Sequence, residues 1–303
     1  MLEPSMSGDK KIVITGASGF LGRHLVERLR DDERYRVFAL SSRPDGLQER
    51  IGGTNVTYLH KDVAADERSA EMMKGAIVVH CAYPRNSVGI SIADGLRYIQ
   101  NVFESAAGHG AAAIINISSQ SVYSQLRTEM ATEETPICLE SPYAVGKYAV
   151  ELMLESICRG AQTRFTNLRM ASLIGPGFDQ RIVNRFAAKL IHREPITVVL
   201  QDRRMGFLDV EDAVNAILSV LDCPLERWRP VYNVGTGSGY TVEEIYEAVA
   251  SALKERMTVP APVRETGSDG SSSAVSYELL RADTGFRPKL SLYDSIERII
   301  AHI

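Results

Sequence analysis

The stretch KIVITGASGFLGRHLV, residues 11–26, joins a predicted strand, a glycine-rich turn and a predicted helix. The strand is predicted because Lys11–Thr15 is a short apolar, β-branched run. Three glycines follow at three-residue spacing: Gly16, Gly19 and Gly22. The next apolar residues recur at helical spacing: Leu21, Leu25, Val26 and Leu29. The pattern is therefore strand, tight turn and amphipathic helix.

Each glycine has a separate use in such a turn. Gly16 permits the sharp turn, Gly19 lets backbone N–H groups approach a pyrophosphate, and Gly22 lets the helix lie close to the strand. Phosphates bind well at a helix N-terminus, where unpaired N–H groups and the helix dipole favour anions. We therefore expect a dinucleotide here, contacted also by Ser18, Phe20 and Leu21. The alternative is an ordinary strand-turn-helix with turn glycines.

Composition narrows the class of protein. The chain has 303 residues and a net charge of −4 with scattered basic residues, so a nucleic-acid groove is not expected. The first ten residues are short and polar, unlike a signal peptide, and no apolar run has membrane-spanning length. Four distant cysteines show no zinc spacing, so no metal site is predicted. A cytoplasmic protein with reduced thiols is expected.

Predicted strands alternate with helices along the first half of the chain. The further strands are predicted at 35–40, 56–60, 76–82, 112–117 and 165–170. This alternation predicts an α/β fold with a Rossmann-type doubly wound parallel sheet. We assign residues 1–172, plus about 207–235, to the dinucleotide-binding domain. Residues 173–206 and 236–303 are expected to form a smaller C-terminal substrate-binding portion.

The second strand ends at Ser41-Ser42-Arg43. In NAD-binding folds an acidic residue at this place bonds the ribose 2′-hydroxyl, whereas an arginine accommodates a 2′-phosphate. The missing carboxylate, Ser42 and Arg43 therefore favour NADP(H), with NAD(H) as the alternative cofactor. The alternative for Arg43 is an ordinary solvated loop arginine.

Later strand ends supply further cofactor-binding candidates. Asp62 either accepts a bond from the adenine amino group or caps the next helix. His80, alone at a strand end, is expected to be structural. The other candidates lie just after strands or at their ends: Val63, Cys81, Ala82, Tyr83, Ser118 and Met170.

Tyr143 and Lys147 are spaced four residues apart, so they share one helix face. Hydride transfer between a carbinol and a nicotinamide needs a proton acceptor or donor at the oxygen. A tyrosine hydroxyl serves if a nearby cation lowers its pKa, as Lys147 can do while also holding the nicotinamide ribose. Ser119, at the end of the fifth strand, can bond and orient the same substrate oxygen. The alternative is a surface Tyr/Lys pair.

Taken together, these motifs resemble the extended short-chain dehydrogenases/reductases of the NAD-dependent epimerase/dehydratase family. Residues 15–22 match its TGxxGFxG motif, 141–147 match SPYxxxK, and 117–123 resemble SSxxVYG. His80 to Ala82 is similar to HxAA, and 168–177 to LRxxxxxGPG; 207–212 and 232–237 look like FxxVxDxA and YNxGxG. The resemblance spans nearly the whole chain. It implies a Rossmann domain, a catalytic serine at Ser119, a nucleotide-sugar substrate and a homodimer.

Departures from the family pattern refine these expectations. The family's 4,6-dehydratases carry Asp-Glu after the catalytic Ser/Thr, where this chain has Gln120-Ser121, so dehydration is not expected. Galactose-type epimerases usually carry the ribose-binding aspartate where Ser41 stands. The substrate-binding candidates are Ser119, Gln120, Ser172, Arg204 and Arg264, the two arginines being expected at the diphosphate.

These observations favour an NADPH-dependent reductase of a 4-keto nucleotide sugar. The closest alternative is a nucleotide-sugar 4-epimerase with retained NAD, which would use the same Tyr143 and Lys147. A third hypothesis is that the protein is a non-catalytic NADP(H)-sensing regulator of the same fold. It predicts a decayed Ser-Tyr-Lys set, but Ser119, Tyr143 and Lys147 are all present.

Overall fold

A computed structural model describes residues 10–65, 69–84 and 90–303. Its main sheet has seven strands in the order β10-β6-β5-β4-β1-β2-β3. They are Lys10–Thr15 (β1), Tyr35–Ser41 (β2), Val56–His60 (β3), Ile77–His80 (β4), Ala113–Ser119 (β5), Arg164–Met170 (β6) and Val231–Val234 (β10). The pairings of β1 with β2 and β4, of β2 with β3, and of β4 with β5 are parallel. The order of the first six strands is that of a Rossmann fold, which confirms the predicted fold class.

Helices alternate with these strands, as expected of a doubly wound sheet. They are Phe20–Leu29 (α1), Pro44–Ile51 (α2), Ser69–Met73 (α3), Ile90–Gly108 (α4) and Pro142–Ala161 (α5). Short 3-10 helices span Lys61–Ala65, Gln120–Val122 and Leu225–Arg227. The sequence did not predict α2, which begins at Pro44, directly after Arg43. Proline suits the first turn of a helix because its fixed φ is helical and its missing N–H would be unpaired there.

The later elements are shorter strands and amphipathic helices. The strands are Ser172–Ile174 (β7), Thr197–Leu200 (β8), Phe207–Asp209 (β9) and Val263–Thr266 (β11). The helices are Ile182–Ile191 (α6), Val210–Asp222 (α7), Val242–Lys254 (α8), Glu278–Thr284 (α9) and Leu292–His302 (α10). Helix α8 begins with a capping box, since the Thr241 hydroxyl accepts from the Glu244 N–H and the Glu244 carboxylate accepts from the Thr241 N–H.

The chain divides into two compact units. The first comprises the described residues up to Ser118, with Ser141–Leu168 and Leu221–Val231. The second comprises Ser119–Glu140, Arg169–Val220 and Tyr232–Ile303. The functional division into a dinucleotide domain and a substrate portion stays a prediction.

Each unit has its own apolar core. In the first, residues of β1, β2 and β4 pack with α4 and α5, around side chains such as Val13, Phe103 and Leu154. In the second, α6, α8 and α10 pack together around Phe186, Val249 and Ile296. Burial of these apolar faces fixes the positions of the strand ends and helix starts, and these carry polar residues. Within the described ranges, no helix is both long and apolar enough to cross a membrane.

Candidate active site

The turn between β1 and α1 is built as a close-packed cradle. A Cβ at Gly16, whose φ is +66°, would lie 2.7 Å from the Ala82 backbone nitrogen, and a Cβ at Gly22 would collide with the Gly16 carbonyl. Both positions therefore require glycine. Gly19 is different, because its Cβ would meet only the Gly16 carbonyl oxygen, at 3.1 Å, and otherwise point into open space. The cradle leaves room on its Gly19 side.

The start of α1 is suited to an anion. Gly19 is the N-cap residue, no side chain in the described structure caps this helix end, and its first turn holds no acidic residue. Helix N-terminal N–H groups need partners, and the helix dipole adds positive potential there. Leu21 is buried, so it contributes to the core, while the rings of Phe20 and His24 pack edge to face.

A cleft of about 610 Å³ opens beside this helix start. Eight of the predicted cofactor residues line it: Gly16, Ser18, Gly19, Ser42, Arg43, Cys81, Ala82 and Tyr83. Three further lining residues, all on α2, were missed: Gly46, Leu47 and Arg50. The helix start after Pro44 could have revealed them, because residues 46 and 50 lie one turn apart on the same face of a helix. The cradle and cleft fit a nicotinamide dinucleotide, since glycine keeps side chains out of the path of a pyrophosphate.

The end of β2 places two arginines on this cleft. Arg43 and Arg50 are both exposed and both line it, and none of the described residues that line the cleft is acidic. Ser41 is buried, and its hydroxyl oxygen accepts from the Arg43 N–H at 3.0 Å, so it shapes the turn while Ser42 faces the cleft. Arg50 therefore adds a second positive charge that the sequence had not indicated.

Tyr143 and Lys147 lie one turn apart at the start of α5, as predicted. Ser141 caps this helix by accepting from the Ala144 N–H at 3.1 Å, and Pro142 occupies the first turn. The Tyr143 side chain is 38% exposed, whereas Lys147 is buried at 6%. The Lys147 ammonium donates to the Ile117 carbonyl at 2.8 Å and lies 5.9 Å from the centre of the Tyr143 ring. An accessible phenol thus stands beside a buried cation.

Burial lowers the pKa of Lys147 to about 8, because a charged amine is poorly solvated there; Cys81 and Glu151 partly oppose this effect. Ser118, at the end of β5, donates to the Glu151 carboxylate on the next turn of α5. The predicted cofactor residue Ser118 therefore ties β5 to the helix that carries Lys147.

The other predicted residues have defined places. Asp62 is exposed in a 3-10 helix, and its carboxylate pairs with His60 and Lys61, each at 3.2 Å. Val63 packs against the core of the first unit, and Met170 is buried at the end of β6. Their predicted contacts with the cofactor stay predictions. His80 is buried and pairs with Thr15, in keeping with its structural interpretation.

Ser119 and Gln120 belong to the second unit. The Ser119 hydroxyl oxygen lies 3.0 Å from that of Ser121 and also accepts from the Ser121 N–H. Gln120 is buried, and its side-chain carbonyl oxygen accepts from the Arg127 guanidinium at 3.1 Å. A neutral amide thus stands where the family's dehydratases carry a carboxylic acid.

The two arginines expected at the diphosphate are already held by acids of α8. Arg204 donates to the Gly239 carbonyl at 3.0 Å and pairs with Glu244 at 3.4 Å, while Arg264 pairs with Glu243 at 3.3 Å. Ser172 is half-buried in β7. Exposed ion pairs of this kind are weak, so a diphosphate can compete for the guanidinium groups. Within the described residues, no three His, Cys, Asp or Glu side chains group as a metal site.

The profile of the NAD-dependent epimerase/dehydratase family matches residues 12–235, which include the cradle, Tyr143 and Lys147. The chain belongs to this family. Among curated members it is similar to a probable UDP-glucuronate 4-epimerase of Rhizobium meliloti, with 25% identity covering 96% of each chain. It is also 25% identical to the dTDP-glucose 4,6-dehydratase of Streptomyces griseus, over 96% of this chain and 93% of that protein.

Solved structures of family members have the same fold. UDP-glucose 4-epimerase of Thermus thermophilus, in complex with NAD, matches with a TM-score of 0.77 and 25% identity, covering 96% of this chain and 98% of that one. UDP-glucuronic acid 4-epimerase of Bacillus cereus, also in complex with NAD, matches with a TM-score of 0.81 and 18% identity, covering 96% and 97%. This protein is therefore an enzyme of the epimerase/dehydratase family with its Rossmann fold.

Proposed function

We propose that the protein is a nucleotide-sugar 4-epimerase in which Tyr143 takes and returns the proton of the sugar hydroxyl. The observation that carries the proposal is the accessible Tyr143 phenol beside the buried Lys147 ammonium on one face of α5. The similar curated and solved family members named above include 4-epimerases of UDP-sugars, which supports a UDP-sugar as the substrate. Gln120-Ser121 in place of an acid pair speaks against dehydration.

The residues of the cradle and cleft would hold the nicotinamide dinucleotide. Gly16, Ser18 and Gly19 border the space for its pyrophosphate at the start of α1. When bound, such a cofactor accepts a hydride from a carbinol carbon or delivers one to a carbonyl carbon. The protein's own task is to place the sugar and to manage the proton on its oxygen.

Tyr143 and Lys147 divide that task. As a phenolate, Tyr143 accepts the hydroxyl proton while the carbinol is oxidised, and the resulting phenol gives the proton back when the keto group is reduced. The ammonium of Lys147 favours the phenolate by its positive charge. Ser119 is proposed to bond the same sugar oxygen and orient it. In an epimerase the keto sugar must rotate in the site before it is reduced, so that the opposite face of its carbonyl receives the hydride.

A second candidate is an NADPH-dependent reductase of a 4-keto nucleotide sugar. One specific observation favours it: Arg43 and Arg50 both line the cleft, and no carboxylate is among the lining residues that the structure describes. Two guanidinium groups suit the 2′-phosphate of NADP(H), which they can bind bidentately. A reductase uses the same Tyr143, but it starts from a keto sugar and consumes external NADPH in stoichiometric amount. The NAD-bound state of the solved relatives supports the epimerase instead.

The deciding experiment follows cofactor consumption and product together. The purified protein is incubated with UDP-, GDP- and dTDP-sugars and with their 4-keto derivatives, with and without added NAD or NADPH, and the sugars are analysed by NMR. An epimerase equilibrates a pair of C4 epimers without net cofactor use. If one NADPH is oxidised for each keto sugar that is reduced, the protein is a reductase and the epimerase proposal is wrong. The homodimer stays a prediction from the family resemblance, and the cytoplasmic location stays a prediction from the cysteine pattern.

A further inference from the structure

Tyr83 occupies an unusual position beside the catalytic pair. It lies three residues after β4, where the HxAA pattern that begins at His80 has its second alanine. Its ring packs edge to face against Tyr143, with ring centres 5.3 Å apart and an interplanar angle of 82°. A large aromatic side chain thus fills space beside Tyr143 that an alanine would leave open.

The Lys147 ammonium lies closer to Tyr83 than to Tyr143. Its nitrogen is 4.1 Å from the centre of the Tyr83 ring, against 5.9 Å for the Tyr143 ring. A cation over an aromatic face is attracted by the ring quadrupole, more strongly when both are shielded from water. On the same nitrogen, the Ile117 carbonyl accepts a hydrogen bond at 2.8 Å. Ring and carbonyl together fix the ammonium.

The Tyr83 hydroxyl is packed against α5 itself. A Cβ at Gly146, the residue before Lys147, would collide with this hydroxyl oxygen. The oxygen is buried and has no hydrogen-bond partner among the described residues. Burial, and then the neighbouring Tyr143, raise the pKa of Tyr83 to about 12, so it remains a neutral phenol at physiological pH. Tyr83 therefore offers Lys147 its ring rather than a charge.

We propose that Tyr83 is a positioning residue that holds Lys147 as an ammonium and fixes the Tyr143 ring, with Gly146 providing the space for it. The proposal deepens the proposed function and rests on it for the roles of Tyr143 and Lys147. The titratable groups that act on Lys147 come from the end of β4, from the residues just after it and from α5: His80, Cys81, Tyr83, Tyr143 and Glu151. Of these groups, Tyr83 is neutral and its ring lies closer to the ammonium than the Tyr143 ring does, so its ring stabilises the charged amine.

The test measures the titration of Lys147 in the full chain without substrate, by NMR of protein labelled with ¹³C-lysine. The Lys147→Gln variant identifies the Lys147 signal. Tyr83→Leu removes the ring but keeps an apolar side chain, and we expect the Lys147 pKa to fall by about 0.5 to 1.5 units. Tyr83→Phe keeps the ring and loses the hydroxyl, so its Lys147 signal should titrate as in the wild type.

A second pair of variants tests the packing and keeps the proposal falsifiable if Tyr83→Leu does not fold. Gly146→Ala should displace the Tyr83 ring and change the Lys147 titration, and adding Tyr83→Phe should restore it by removing the colliding hydroxyl. A wild-type titration in Tyr83→Leu or in Gly146→Ala would overturn the proposal. The proposed function has its own separate test in Tyr143→Phe, so the two can fail independently.

Discussion

The hydroxyl of Thr15 lies 2.7 Å from Nδ1 of His80, at the point where β1 and β4 end side by side. Both residues are buried, and the His80 ring also packs edge to face on Phe103, with centres 5.0 Å apart. The pair joins two neighbouring strand ends immediately before Gly16 and Cys81, which line the cleft. The contact between Thr15 and His80 therefore supports the glycine cradle.

This burial makes stability depend on pH. Burial, and then the charge of Lys147, lower the pKa of His80 from 6.5 to about 3. Between these values the unfolded chain binds a proton that the folded protein does not, so the free energy of unfolding falls as the pH falls. We expect urea unfolding to show a loss of up to about 1.4 kcal/mol per pH unit below about pH 6. His80→Gln should remove this component; an equal acid dependence in both proteins would contradict it.

Replacing Tyr143 tests the acid–base role. Tyr143→Phe keeps the ring and its packing but removes the proton, so turnover should fall at least about a hundredfold, with cofactor binding nearly unchanged. Tyr148→Phe is a matched control on the same helix and should retain wild-type turnover. A Tyr143→Phe enzyme with more than about a tenth of wild-type turnover would refute the assignment.

Lys147 should set the alkaline limit of activity. Its pKa is lowered to about 8, so the ammonium is present below that pH and lost above it. Because the positive charge favours the Tyr143 phenolate, kcat should decline as the pH rises past about 8. Lys147→Met should lose most activity at every pH. The pH profile of kcat checks this, and a rate that stays constant to about pH 10 would show that the charge is not needed.

Periodicity and glycine spacing predicted most of the first unit. The run Ile12–Thr15 and the helical spacing from Leu21 are strong patterns, because a strand buried on both faces is continuously apolar and a helix on a sheet is amphipathic. The strand β11 was not foreseen. All four of its residues are exposed, so hydropathy gives no alternation, and its parallel pairing with β8 is a tertiary contact.

The candidate site was predictable wherever one local motif carries it. The cradle glycines and the pair Tyr143/Lys147 are such cases, since turn geometry and helical spacing follow from nearby residues. Arg50 was missed because the segment after Arg43 was not recognised as a helix. The packing of Tyr83 on Gly146 joins segments more than sixty positions apart, and no local pattern reports such a contact.

Gly19 offers a test of the cradle that should spare folding. Its backbone is extended, with φ at −72°, and a Cβ there would meet only the Gly16 carbonyl, at 3.1 Å. In Gly19→Val the branched side chain would enter the path of the pyrophosphate and weaken cofactor binding at least about tenfold. Fluorescence titration with NADPH and NADH measures this. Gly160→Val, at an open helical position near the end of α5, is the control. A folded Gly19→Val protein with wild-type affinity would mean that the pyrophosphate binds elsewhere.

Cofactor choice tests the two arginines of the cleft and separates the two candidate reactions. Arg43 and Arg50 line the cleft with no carboxylate among the described lining residues, so a 2′-phosphate bound there would gain charge-assisted hydrogen bonds worth about 1.5–3 kcal/mol. At 1.4 kcal/mol per decade, the reductase hypothesis requires NADPH to bind roughly tenfold to a hundredfold more tightly than NADH, whereas the proposed epimerase with retained NAD requires no such preference. Arg43→Ala should lose most of this preference and Arg50→Ala part of it. Arg36 is an exposed arginine on the same strand β2 that does not line the cleft, so Arg36→Ala should leave the preference unchanged.

Ser42→Asp should reverse the preference for NADPH, because a carboxylate on the cleft repels the phosphate and can bond a ribose hydroxyl. Dissociation constants for both reduced cofactors decide the matter: equal affinities, or a preference for NADH, would remove the support for the reductase and leave the epimerase with retained NAD.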